Sequence, residues 1–104
     1  GVHAGEVETS MLLHLAPEQV QMARAQNFAS TSATRAQRFA ILGNGKSAKL
    51  GWAMQDYNPA GAAGNAAAAD AQRGQALVEA AAQGLAQLLQ EMHQLPLDTV
   101  GPAY

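Results

Sequence analysis

In GVHAGEVETSMLLHL, residues 1–15, one imidazole and two carboxylates stand directly in front of an apolar run. His3 belongs to the side-chain class that titrates near neutral pH, which suits it to moving protons and to binding metals. The alternative for His3 is a solvated histidine near a chain end. Helical spacing places Met11, Leu12 and Leu15 on one face of a helix predicted over residues 8–15, and Glu8 lies on that face one turn earlier. A carboxylate on an apolar face needs compensation, because an unpaired buried charge is costly and tends to neutralise itself. It can bind a metal, pair with a cation, or accept backbone N–H groups at the helix start, the commonest of the three. Thr9 and Ser10 come next, but nothing around them has the form of a nucleophile elbow. They read as helix-start hydroxyls or as partners that support Glu8. His14 lies off the apolar face and His93 at a helix end, so both read as surface residues. GNGK at 43–46 is too short for a phosphate loop, and GAAGN at 61–65 reads as a turn with a cap rather than an anion cradle.

Several elements must hold these residues. The helix carrying Glu8 should end near Ala16, since Pro17 biases its predecessor away from helical geometry. Pro17 to Val20 suits a short turn with proline at its first position. Residues 24–48 are rich in small polar residues and read as a loop, with one helical turn around Arg35 to Ala40. Leu50, Trp52 and Met54 alternate with small or polar residues, which predicts a strand near 48–56 that Asn58-Pro59 then breaks. Gly61 and Gly64 allow tightly turned backbone. The clearest element is a long helix over 66–94. Leu77, Val78, Ala81, Leu85, Leu88, Leu89 and Met92 form one apolar stripe, and glutamines fill the opposite side. Asn65 is its expected N-cap and Asp70 favours the helix dipole. Gly74 lies within the stripe, where glycine costs about 1 kcal/mol relative to alanine; close approach of another backbone is the expected reason. Pro96 stops the helix, leaving 97–104 as a surface tail.

Composition narrows the function classes. The 104 residues suffice for one small domain, and much of the 48% hydrophobic content is alanine, which buries little area. Large apolar side chains are thin on the ground, so the chain alone is expected to be marginal or oligomeric. Six basic against eight acidic residues exclude a clustered nucleic-acid footprint. No apolar run approaches a membrane span, and no secretory signal opens the sequence. With no cysteine there are no disulfides and no thiolate metal sites. A cytoplasmic protein without nucleic-acid or membrane partners is the expectation.

Residues 3–20, HAGEVETSMLLHLAPEQV, strongly resemble the His-Ala-Gly-x-x-Glu-Thr-Ser segment of the creatinine amidohydrolase (creatininase) family. There too a Met/Leu helix ends in proline, with valine shortly after. Residues 51–89 resemble the family's closing section, a Gly-rich loop of small residues followed by a Lys/Arg-Gly pair inside a long final helix. The two segments occur in the family order and cover over half the chain.

The resemblance implies a metal-dependent hydrolase of cyclic or small amides, with a layered α/β/α fold and a two-metal site, often zinc or manganese. In such proteins most ligands come from an N-terminal Glu-x-His pair, a later Asp and an Asn-Gly-His stretch, none of which is in this sequence. His3 matches the family's histidine for proton transfer. Glu8 matches the Glu of Glu-Thr-Ser, a metal ligand where the upstream stretch lacks its own carboxylate.

The expected fold class is therefore α/β: the C-terminal portion of a layered α/β/α creatininase-like fold, dominated by one long C-terminal helix. The 104 residues form a partial single domain. Within it, 1–20 carry the active-site motif and a short helix, 21–50 a loop-rich segment, 51–65 a strand and Gly-rich loop, 66–95 the long helix and 96–104 a tail. The expected function is amide hydrolysis on a small cyclic substrate by a homo-oligomer using zinc or manganese. His3 would be catalytic and Glu8 a metal ligand, and the isolated chain would be inactive and lack its metal. The alternative is a self-contained helical interaction module that uses the stripe of 77–92.

Overall fold

The computed structural model describes residues 1–102. Its first helix, α1, spans Glu6–Leu15, two residues earlier than the spacing of apolar residues indicates. The start is set by Gly5 and by Glu8, whose Oε2 accepts the Ala4 N–H at 2.7 Å. The end is set by Pro17: Ala16 leaves helical geometry at φ −152° and ψ 66°, and Pro17–Gln19 forms the expected short 3-10 turn.

A second 3-10 turn, Met22–Arg24, leads into β1, Asn27–Phe28. Helix α2 then covers Thr31–Arg38, earlier and longer than the single turn expected at 35–40. The cause is Ser30, whose hydroxyl accepts the Ser32 N–H at 3.1 Å and so fixes the N-terminus. GNGK turns as expected, with Gly43 at φ 149° and Gly45 at φ 70°.

The strand expected near 48–56 is absent among the described residues. Leu50 and Trp52 lie in exposed irregular backbone, and Met54–Tyr57 forms a helical turn, α3. Asp56 decides the outcome. Its Oδ2 accepts the Ala53 N–H at 2.8 Å, a local bond that favours the turn over an extended chain with no neighbour to pair with. Pairing occurs elsewhere. β2, Gly64–Asn65, runs antiparallel to β1, with Asn27 opposite Asn65 and Phe28 opposite Gly64. A bridge between His3 and Ala63 extends this ribbon toward the N-terminus.

After a 3-10 turn at Ala66–Ala68, the long helix α4 runs Ala71–Gln94. It starts later than position 66 because the cap is Asp70, whose Oδ1 accepts the Arg73 N–H at 2.9 Å. Asn65 sits in β2 and caps nothing through its side chain. Loss of the cap should cost about 1 kcal/mol. Urea unfolding of Asp70→Ala is expected to show that loss, with Asn65→Ala less affected; the reverse order would return the cap to Asn65. The tail beyond Pro96 is exposed through residue 102, and positions 103–104 lie outside the described residues.

The two main helices meet at a crossing of small residues. Ser10 on α1 is 1% exposed, and its hydroxyl accepts the Asp70 N–H at 3.0 Å. Gly74 on α4 lies so close that an added Cβ would stand 1.7 Å from the Ser10 carbonyl oxygen. The expected close approach of backbone at Gly74 is therefore present. The rest of the interior is thin. Among the described residues only Tyr57, Ala63 and Ala66 are fully buried hydrophobics. The radius of gyration is 18.7 Å, against about 13 Å for a compact domain of about 100 residues. Beyond Val78, α4 is exposed all round, its leucines included. The architecture is mixed, helices with one small two-stranded sheet, compatible with an α/β class. No described helix is long and apolar enough to cross a membrane.

Candidate functional site

His3 is held by backbone rather than by its side chain. Its N–H donates to the Ala63 carbonyl at 3.1 Å, and the Ala63 N–H donates to the His3 carbonyl at 2.9 Å. The Gly-rich loop thus fixes the chain on which His3 rides. Glycine is needed on both sides: a Cβ on Gly64 would come 2.7 Å from the Gly5 Cα, so the two backbones touch. Between His3 and α1 the chain reverses through Ala4 at φ 51°, a left-handed conformation that an alanine adopts only at a cost of about 1–2 kcal/mol. That turn aims the Ala4 N–H at Glu8 and brings His3 over the first turn of α1.

The result is a pair. His3 Nδ1 stands 3.8 Å from Glu8 Oε2, with both side chains about half exposed. Beside them lies a groove of about 300 Å³ lined in part by Glu8, Thr9, Leu12, Gln19 and Val20. The groove runs between α1 and the 3-10 turn that Pro17 starts. Thr9 is half-buried along it, next to Glu8 as its position in sequence suggests.

Glu8 is not on an inward face. The stripe of Glu8, Leu12 and Leu15 faces outward, with Leu15 63% exposed. The inward stripe is Glu6, Ser10, Leu13 and His14. Periodicity misplaces it because α4 offers Gly74 at the crossing, so the buried partner is a small serine rather than a large apolar residue. Ser10 accordingly supports α4 and not Glu8. His14 is half-buried rather than a surface residue, while His93 is exposed as expected. Glu8 is also compensated in the most ordinary of the three ways open to it, by a backbone N–H, while His3 stands at ion-pair distance.

The pairing of Glu6 is not apparent from local spacing. It is the first residue of α1 and forms an ion pair with the Arg73 guanidinium, which also donates to the Ala68 carbonyl. The adjacent Arg73-Gly74 thus does two jobs: the arginine clamps the start of α1, and the glycine admits its backbone. The Arg-Gly pair itself was the available signal.

His3 and Glu8 offer one imidazole nitrogen and one carboxylate. Among the described residues, no group of three or more His, Cys, Asp or Glu is placed to hold an ion. The Glu8 carboxylate can therefore be one ligand of a metal centre and not the whole of it, with the His3 imidazole standing beside it.

Comparison with curated proteins and with solved structures returns no match for this chain. The two segments that meet at His3, the His-Ala-Gly start and the Gly-rich loop, both lie within a stretch matched by a family model. That model is creatininase, described as creatinine amidohydrolase; it matches residues 1–89 of the 104, and the chain belongs to this family.

Proposed function

We propose that this chain is part of a metal-dependent amidohydrolase acting on a cyclic or small amide, with His3 as its proton-transfer residue and Glu8 as a metal ligand. The observation that carries the reading is the His3–Glu8 juxtaposition at the edge of a groove, in a chain of the creatininase family. The remaining ligands come from residues outside these 104, within a layered α/β/α fold whose sheet covers the exposed face of α4. Zinc or manganese, a homo-oligomeric state and a cytoplasmic location belong to the same proposal.

When bound, a divalent metal supplies polarisation of the amide carbonyl and an activated water. The chain's own residues do the rest. The Ala4 N–H orients the Glu8 carboxylate. Glu8 faces His3 Nδ1, so an imidazolium formed there is compensated and Nε2 is the atom left to give its proton to the leaving nitrogen. Leu12 and Val20 line the groove with apolar surface on which a small ring can rest.

Two experiments bear on this. In the full-length protein, Glu8→Gln is expected to lower metal occupancy or turnover strongly. Glu6→Gln removes only a half-exposed ion pair with Arg73, worth about 0–1 kcal/mol of stability. Equal, small effects on metal and rate from both substitutions would take Glu8 out of the site. Residues 1–104 by themselves are expected to turn over no member of a panel of small cyclic amides with added zinc or manganese. Clear turnover by them would contradict a site completed from elsewhere.

A second reading has one observation in its favour. Leu85, Leu88, Leu89 and Met92 on α4 are each at least half exposed, as in a helical interaction module waiting for a partner. Metal content separates the readings: a full-length protein that binds no zinc or manganese, and assembles through α4, favours the module.

A further inference from the structure

Helix α2 carries a stripe of unusual chemistry. Thr31, Thr34, Arg35 and Arg38 recur at i, i+3, i+4 and i+7 and so share one face of the helix, half-buried at Arg35 and exposed at the other three. Here that face holds two hydroxyls and two guanidinium groups. Together with Phe39 they line an open surface hollow of about 330 Å³, well separated in sequence from the His3–Glu8 pair.

Both arginines are held in place by aromatic rings. The Arg35 guanidinium carbon lies 5.4 Å from the centre of the Tyr57 ring, and that of Arg38 lies 5.2 Å from the Phe39 ring. Tyr57 is itself fixed: it is 2% exposed, its hydroxyl donates to Asn44 Oδ1 at 2.6 Å, and Trp52 packs edge-on against it at 4.3 Å. Thr31 is committed too, donating to the Asp56 carbonyl at 2.9 Å and accepting from Arg35 Nη2 at 3.3 Å. The support is thus built before any ligand arrives.

Neither arginine has a carboxylate partner among the described residues, where the ion pairs are His3–Glu8 and Arg73–Glu6. Asp56, beside Thr31, spends its carboxylate on the Ala53 N–H. Arg35 Nη1 is buried with no hydrogen-bond acceptor. An unpaired buried N–H is costly even on a half-buried arginine, and two like charges at i, i+3 repel. The ordinary explanation would be that the arginines serve the carbonyl end of the helix. Lys46 already does that, its Nζ donating to the Ala36 carbonyl at 2.8 Å and to the Phe39 carbonyl. The Arg38 guanidinium and Nη1 of Arg35 are therefore left, among the described residues, for a ligand from outside the chain.

We infer that this open hollow is an oxyanion site for a phosphate group, held by Arg38 and Thr34 and drawn in by the fixed charge of Arg35. A carboxylate offers two oxygens in one plane, which a single guanidinium satisfies as a fork. A phosphate offers three peripheral oxygens and a second charge, which suits two guanidinium groups and a hydroxyl on one face. The site does not depend on the amidohydrolase reading.

The test is titration of inorganic phosphate into the full-length protein at constant ionic strength, followed by calorimetry and by amide chemical shifts. Saturable binding is expected, weakened about tenfold or more by Arg38→Gln and by Thr34→Val, with acetate binding much more weakly than phosphate. Thr34→Val keeps the test alive if Arg38→Gln does not fold. Phosphate binding that is non-saturable, unchanged in the folded variants or matched by acetate would overturn the assignment. So would binding of an acidic peptide at this face without binding of phosphate.

Discussion

Replacing Gly74 with alanine is expected to destabilise the protein by about 1–3 kcal/mol or more, against the direction that helix propensity alone would give. Propensity favours alanine over glycine in a helix interior by about 1 kcal/mol. At position 74 sterics outweigh that gain. The new Cβ would stand 1.7 Å from the Ser10 carbonyl oxygen, 2.3 Å from its carbon and 2.9 Å from the Met11 nitrogen. Those are backbone atoms in the middle of α1, so no rotamer change relieves them and the helices must move apart. The same chain supplies the control. A Cβ at Gly84 would meet nothing within 4 Å, so Gly84→Ala should stabilise by up to about 1 kcal/mol. Opposite signs in urea unfolding are the expected outcome. Two changes of the same sign would mean that the crossing at Ser10 is not what holds α1 to α4.

This crossing also shows what can be read from the order of residues and what cannot. Gly74 within an apolar stripe already points to a close neighbour, because a helix tolerates that loss only for contact. The identity of the neighbour, Ser10, is not legible. It lies 64 positions away in sequence, and a serine gives no periodic signal. The helix ends set by Pro17 and Pro96 were readable because proline acts locally. Helix starts were less so. Asn65 and Asp70 are both good caps on paper, and the choice between them turns on β2, whose pairing with β1 claims Asn65. The strand suggested by Leu50, Trp52 and Met54 fails for a related reason. Alternation describes a surface that a strand can use, but strand formation needs a partner, and Asp56 offers the backbone a turn instead.

At the site, the type of chemistry was legible and the placement was not. His3 and Glu8 stood out by residue type and by the segment they occupy, and they do come together. Glu8 does so on the outer face of α1, since the inner face is set by the glycine of another helix. The bridge from His3 to Ala63 depends on two Gly-containing segments whose only shared signal is their small residues. The arginine stripe of α2 was legible in principle, since its spacing is plain once the helix is known to begin at Thr31. A helical turn confined to 35–40 does not contain Thr31 and Thr34 and so lacks the stripe.

The second large effect concerns His3. His3→Ala in the full-length protein is expected to lower turnover of the amide substrate by about 10²–10⁴-fold, the usual contribution of a positioned general acid or base. Fold and metal content should survive, because His3 is held through its backbone bonds to Ala63, which alanine keeps, and Glu8 retains the Ala4 N–H that orients it. The most direct measurement is therefore turnover and bound metal determined side by side on wild-type and His3→Ala protein. The account predicts a rate lower by at least about a hundredfold with the metal complement unchanged. A His3→Ala protein that keeps both its metal and its rate would contradict the central claim.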